Sequence, residues 1–435
     1  MWMNVRAHLT PTLALLLVAL CVPLGAAAQE PVMMAMHASA PRDSVSLMLT
    51  ALGTRVGPAL NGRARSDLQV TQPMITFRAT RASAHIRLAA MLNFERWTMP
   101  GGEPVPGIWG EGFIDRRHPH TVLHEVMLTG VASRGRIQAS LAGGKGFVPF
   151  GTDDPMVRPF TKYPANHHLS QVMERIQLVS ALRLSPRLAI EAGVFNGDEP
   201  LSPTAGPQWR RFGDSRAARI TVWPSPTVEV QGSLAAVRSP EFLRPDGLDH
   251  DKRSVSLRWT PSAGALRYAQ VEWARTEEGY RDRPIIAYGS ALAEASWRLA
   301  RWSLAARAEQ TTRPEDERLL DPFRTSRPPN HLQILGMTRW RIATLQVGRD
   351  VTLLPRTASE FLCGVSYANS SPLLRPVLLD PRNISGADVA WHLAFGLRLS
   401  RGAMSARTGR YGVAAGGTAT DRMLGMAHSL HTHKP

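Results

Sequence analysis

Between residues 44 and 400, apolar and polar positions alternate along much of the chain with a period of two, the spacing that sends successive side chains to opposite faces of a strand. Ile176, Leu178, Ser180 and Leu182 hold a mostly apolar parity, against Arg175, Gln177 and Arg183. Beyond Ser185-Pro186 the pattern resumes, with Leu188, Ile190, Ala192 and Val194 facing away from Arg187 and Glu191. Two alternating runs joined by a short turn predict a hairpin. The arrangement returns at Ile220 and Val222, the turn Pro224-Ser225-Pro226, and Val228 and Val230 against Glu229, Gln231 and Ser233. It returns again where Val255, Leu257 and Trp259 lead through residues 260–264 into Ala269, Val271 and Trp273, opposite Tyr268, Gln270 and Glu272. The clearest strand is Val389, Trp391, Leu393, Phe395, Leu397 and Leu399, an unbroken apolar parity.

After residue 28 no apolar run approaches the roughly 20 residues of a membrane helix, so entry into a bilayer requires a closed barrel. Apolar-out, polar-in strands of about ten residues, short turns on one side and long loops on the other are the pattern of such barrels. Short connections centre near 82, 134, 185, 225, 262, 300 and 340, with longer ones between. If Asp67 to Thr80 were the first strand, the turn near 82 would fall on the long-loop side, so Ser44 to Leu52 is an earlier strand. With Leu373 to Leu379 as a weak strand before the last, the count is about eighteen; sixteen fits nearly as well. The fold expected is therefore all-β, a transmembrane antiparallel barrel of about 16 to 18 strands with short periplasmic turns and long extracellular loops. A soluble secreted sandwich or propeller also alternates, but here almost every hairpin shows an apolar outer parity and no second sheet to cover it. Trp97, Trp223, Trp259, Trp273, Trp297, Trp302 and Trp340 fall near strand ends, where aromatic girdles sit.

Export agrees with this reading. Residues 1–28 combine Arg6 and no acid, the apolar stretch Leu13 to Val22, and Gly25-Ala26-Ala27-Ala28, the plan of a cleaved signal peptide. The division expected is residues 1–28 as signal, 29–43 as a flexible N-terminal segment, 44–400 as the barrel and 401–435 as a C-terminal tail. Cys363 is the one cysteine beyond the signal, so no internal disulfide forms there. The 435 residues include 51 Lys and Arg against 35 Asp and Glu, a net charge of +16. In a cytoplasmic protein that excess would suggest nucleic acid. Here the bases are scattered arginines, with lysine only at Lys145, Lys162, Lys252 and Lys434, and no patch forms, so nucleic acid is not an expected partner. Outer-membrane lipid and small hydrophilic solutes or ions are expected partners, and a homo-oligomer by analogy with other porins.

Chemistry concentrates in histidine. A loop of about residues 97 to 120 ends in Asp115-Arg116-Arg117-His118-Pro119-His120, and the next outer loop, about 147 to 171, holds His167-His168. Imidazoles converging at a barrel mouth suit copper or zinc. Against that stand the unusual His-Pro-His spacing and the lack of a Cys or carboxylate partner; packing and hydrogen bonding of the loops is the plainer reading. Met33-Met34-x-Met36-His37 and Met423-x-x-Met426-x-His428-x-x-His431-x-His433 pair Met with His, ligands that Cu(I) accepts. His124 and Glu125 are adjacent, and strand alternation sends them to opposite faces. No Gly-x-Ser-x-Gly elbow or other hydrolase context is present, so no enzyme is expected.

Several of these segments together carry a resemblance. Asp115-Arg116-x-His118-Pro119-His120, His167-His168, Phe195-Asn196-Gly197-Asp198-Glu199-Pro200, Asp214-Ser215 with Arg219, Pro224-Ser225-Pro226 and Ser239-Pro240-Glu241 resemble an uncharacterised family of bacterial outer-membrane barrel proteins over roughly residues 90 to 260. The resemblance implies a porin-like barrel, sometimes found alongside metal-handling genes, and no established reaction. Gly143 to Gly151 is also weakly similar to a segment of anion-selective porins.

The sequence thus predicts a passive outer-membrane channel for small hydrophilic solutes, narrowed by an inward-folded loop. Arg175, Arg183, Arg187, Arg219, Arg258 and Arg307 are the expected lumen and selectivity residues, interspersed with Glu191, Glu229, Glu272 and Glu309. More arginine than acid predicts a weak anion preference. The competing function is a metal-binding or efflux-accessory barrel in which His118, His120, His167 and His168 hold a divalent ion, copper or zinc being the only cofactor considered. A third is a plugged structural or adhesive barrel without conductance.

Overall fold

The computed structural model describes residues 43–57, 64–81, 85–98, 121–152, 158–165, 171–172, 174–200, 204–240, 242, 245–280, 283–316, 334–373, 387–402 and 409–414. Sixteen strands form one closed antiparallel barrel in chain order. They are β1 (Asp43–Gly57), β2 (Arg65–Arg81), β3 (Ile86–Asn93), β4 (Leu123–Arg134), β5 (Ile137–Gly146), β6 (Arg175–Ser185), β7 (Leu188–Phe195) and β8 (Ser215–Ser225). The circuit continues with β9 (Val228–Val237), β10 (Asp249–Trp259), β11 (Leu266–Tyr280), β12 (Arg283–Leu299), β13 (Trp302–Asp316), β14 (Ile334–Val351), β15 (Ala358–Pro372) and β16 (Val389–Arg401). β16 pairs with β1 from Leu47↔Arg401 to Gly57↔Trp391, which removes both sheet edges.

The strand count is sixteen, not eighteen, for two reasons. The turn expected near residue 340 is absent because β14 runs unbroken through it, and β15 and β16 are direct neighbours. The weak strand expected at Leu373 to Leu379 lies almost wholly outside the described residues. Short connections do fall at one end of the barrel, with two-residue turns at 135–136, 186–187, 226–227 and 300–301. Gly135, at φ +61°, supplies the positive φ that a two-residue turn of type II′ needs in its first position. At the other end the connections are long except at β11–β12, where only residues 281–282 intervene and the wall continues upward as a hairpin.

The outward parity is apolar and exposed across the middle of the barrel: Leu178 and Leu182 on β6, Val255 and Leu257 on β10, Leu345 and Val347 on β14, Leu393 and Phe395 on β16. Trp259, Trp273, Trp302 and Trp391 also face outward. Trp223 and Trp340 depart from the expected girdles: both are buried, and the Trp223 indole donates to the Glu229 carboxylate at 3.0 Å. Phe395 lies across Gly53 of the neighbouring β1, where a Cβ would stand 2.6 Å from the ring. Gly144, at φ +144°, is pressed so closely on β4 that a Cβ would lie 2.0 Å from the Val126 carbonyl oxygen. Gly144→Ala is therefore expected to lower stability by at least ~2 kcal/mol, read as an earlier urea midpoint for the folded band in heat-modifiability gels.

Candidate functional site

A sixteen-stranded barrel is wide enough for an aqueous channel unless side chains or inserted segments fill it. Among the described residues two segments enter the lumen. The first is the β5–β6 loop, in which the described residues 147–152 and 160–165 are all buried. A surface loop has no reason to hold Phe147, Phe150, Phe160 and Tyr163; here they find apolar partners inside. Val148, Phe150 and Val172 pack on Phe195, Ala217, Ala235 and Val237, while Tyr163 sits among Met48, Met74 and Met91.

Polar lumen side chains satisfy the loop's backbone, as burial demands. Gly151 N–H donates to Ser233 Oγ at 2.8 Å, Thr161 N–H to Gln346 Oε1 at 2.7 Å, and Ala165 N–H to Glu309 Oε2 at 2.6 Å. Arg398 donates to the Pro159 carbonyl at 3.2 Å and Arg307 to the Lys162 carbonyl at 2.6 Å. Arg158 reaches Glu272 at 3.1 Å and Glu294 at 3.4 Å, and Thr152 Oγ1 donates to Glu272 at 2.6 Å. The loop thus spans from the β9 wall to β13, β14 and β16.

The second inserted segment is Gly409–Ala414, whose six residues are all buried. The Arg219 guanidinium, itself 2% exposed, grips Glu191 at 2.6 and 2.7 Å and donates to the Gly409 carbonyl at 2.9 Å and the Gly151 carbonyl at 3.2 Å. One side chain therefore ties the wall, the loop and the tail together. Arg410 donates to Glu229 at 3.1 Å and Thr221 at 3.2 Å, and also to Gln231. The Phe147 N–H donates to the Tyr411 hydroxyl at 3.0 Å, and the ring packs on Met127 and Ala142. Arg87 donates to the Gly412 carbonyl at 3.2 Å, and Val413 N–H to Ser140 Oγ at 3.1 Å. The tail assigned to residues 401–435 therefore includes a structured lumenal segment.

At the long-loop rim, the Glu174 carboxylate accepts from Thr121 N–H at 2.8 Å and meets His124 Nδ1 at 2.7 Å. His124 and Glu125 are both buried, contrary to strict alternation, because a bulge interrupts the β3–β4 register between Leu123 and Glu125. Glu174 thereby joins the ends of the two loops that carry the histidine motifs. His118, His120, His167 and His168 themselves lie outside the described residues. Among the described residues no three His, Cys, Asp or Glu side chains gather as metal ligands.

The expected lumen arginines occupy distinct settings. Arg175 is buried against Glu199 at 3.0 Å. Arg307 is buried between Glu309 at 3.2 Å and Glu294 at 3.8 Å, with its guanidinium over the Phe160 ring. Arg219 is held as described above. Arg187 sits exposed in the β6–β7 turn rather than on a lumen-facing strand position. Arg183 and Arg258 are half-buried near the short-turn end, stacked on Trp223 and Tyr268 respectively. Arg78, Arg87, Arg298 and Arg398 join them at that level, and the carboxylates there are Asp350, Glu360 and, opposite Arg258 in register, Glu229. Among the described residues this vestibule thus holds more guanidinium groups than carboxylates.

Two readable signals point to the inserted segments. One is aromatic content in a loop; the other is apolar residues on the lumen parity, Met127, Val131, Ala142 and Ala181, which the tail segment covers. No family model matches this chain, and no curated protein matches it. Solved structures do. OprB of Pseudomonas putida aligns with a TM-score of 0.50 at 11% identity, covering 83% of this chain and 93% of that one. An anion-selective porin from Comamonas acidovorans aligns at TM-score 0.48 and 10% identity, over 82% and 99% of the two chains. OccK2 of Pseudomonas aeruginosa aligns at TM-score 0.37 and 10% identity, over 83% and 98%. The likeness to OprB establishes the shared barrel fold.

Proposed function

We propose that this chain is an outer-membrane channel for passive diffusion of small hydrophilic solutes, with a weak preference for anions. The observation that carries the reading is the lumen: a loop bound to the wall by its own backbone narrows it, and beneath lies a vestibule in which Arg78, Arg87, Arg183, Arg258, Arg298 and Arg398 outnumber Asp350, Glu360 and Glu229. A constriction over a charged antechamber filters by size first and by charge second. The positive excess raises the local concentration of anions. Support at the level of the fold comes from porins with the same barrel, one of them anion-selective by its own description. Among the described residues the lumenal carboxylates Glu191, Glu272 and Glu309 pair with arginine, and Glu309 also accepts from the loop.

Purified protein in a planar bilayer under a salt gradient is expected to give steady conductance and a reversal potential on the anion side. A potential on the cation side would overturn the charge preference. Silence from folded, inserted protein would overturn the channel.

A further inference from the structure

The wall of β4–β9 breaks the rule that lumen faces are polar. Met127, Ala142 and Ala181 point inward, and each is covered by one residue or another of Gly409–Ala414. Beside this apolar strip lies a seat for a guanidinium: Glu229, Gln231 and Thr221 all accept from Arg410. The fit is close on both sides. A Cβ at Gly146 would stand 2.3 Å from the Tyr411 hydroxyl, and one at Gly412, where φ is +58°, would stand 2.1 Å from Ser140 Oγ. Apolar strip, charged seat and tight glycines together describe a built receptor for a peptide, and the peptide is the chain's own.

The path of the segment adds a second observation. β16 ends at Arg401 on the short-turn side. Gly409 and Arg410 meet Arg219, Thr221 and Gln231 midway along their strands, and Tyr411 reaches Phe147 at the head of the constriction loop. Val413 and Ala414 then contact Ala181 and Val131, three or four positions above the short turns. Within Gly409–Ala414 the chain thus passes from mid-lumen to the head of the constriction loop and back toward the short-turn end.

We propose that the lumenal wall of β4–β9 is a binding site for the segment Gly409–Ala414, and that occupancy of this site sets both the size and the charge preference of the pore. The proposal rests on the reading of the chain as a channel. With the segment seated, Arg410 covers the Glu229 carboxylate and Tyr411 fills space beside the constriction loop. With it unseated, the lumen widens and Glu229 faces solute, so cations gain.

The test uses the full chain in a Cys363→Ser background. Val413→Cys supplies a thiol whose labelling by a water-soluble maleimide reports seating. Adding Arg410→Ala and Tyr411→Ala is expected to speed that labelling at least tenfold, raise single-channel conductance roughly twofold, and move the reversal potential toward cations. Pairing Val413→Cys with Ser140→Cys, whose Oγ lies 3.1 Å from the Val413 amide nitrogen, is expected to fix the smaller conductance under oxidation and release it on reduction. Faster labelling with unchanged conductance and reversal potential overturns the proposal while leaving the channel intact. Unchanged labelling overturns it too, since these contacts would not hold the segment. Silence of every variant, seated or not, overturns both the proposal and the channel reading. Heat-modifiability gels confirm that each variant is folded, and the reducible cross-link compares held and released states of one and the same variant.

Discussion

Replacing Arg219 with alanine is expected to cost about 3–5 kcal/mol, the penalty of leaving the partner of a buried ion pair alone. Glu191 would remain in the wall at 2% exposure without its bidentate partner. The Gly151 and Gly409 carbonyls would lose the same donor, so both inserted segments should loosen together. The measurement is the urea midpoint of the folded barrel together with protease sensitivity of the full chain. Arg219→Ala should shift the midpoint down and admit cleavage in the loop or tail. An Arg219→Ala, Glu191→Ala pair should recover part of the midpoint but not the protection, because the carbonyls still lack their donor. Equal protection in all three proteins would show that Arg219 does not join the segments.

The second large effect is on the outside. Phe395 is 67% exposed, halfway along the apolar parity of β16, the height at which lipid chains would meet the wall of a transmembrane barrel. Phe395→Arg is expected to cost ~2–4 kcal/mol of folding free energy in bilayers, the range for a cation at the midplane of a barrel wall. It also uncovers Gly53, over which the ring lies. Phe395→Leu keeps the apolar surface and should cost far less. The comparison in phospholipid vesicles separates lipid contact from ring packing: if both substitutions cost the same, the ring on Gly53 matters and the lipid does not.

The barrel was legible because its cause is local. Alternation with period two needs only the identities of neighbouring residues, and β6, β7, β10 and β16 can be read directly from it. Strand number was less so. An interruption such as Arg339-Trp340-Arg341 reads as a turn, whereas on β14 it places Trp340 inside and both arginines on the other parity. The site was harder still, since it depends on which distant residues meet. Arg219 and Arg307 were singled out as polar-parity residues, but alternation says nothing about Glu191 or Glu309 lying beside them, and it is those partners that turn candidate lumen charges into ties for the loop and tail. The lumenal apolar positions Met127 and Ala142 break the alternation of β4 and β5. They are the imprint of a segment nearly 300 residues later in the chain.

The seam between β1 and β16 sets an order in time. Leu47 opposite Arg401 joins the two ends of the barrel sequence, so the cylinder cannot shut until the last strand has been delivered. Long-range pairing of this kind is slow, because chain closure precedes the contacts that reward it. Gly409–Ala414 follows that last strand, and its receptor, built from β4 to β9, takes its final curvature only when the ring is shut. Gly409–Ala414 lies beyond β16, so among the described residues the segment that fills the lumen is the last to be delivered to it.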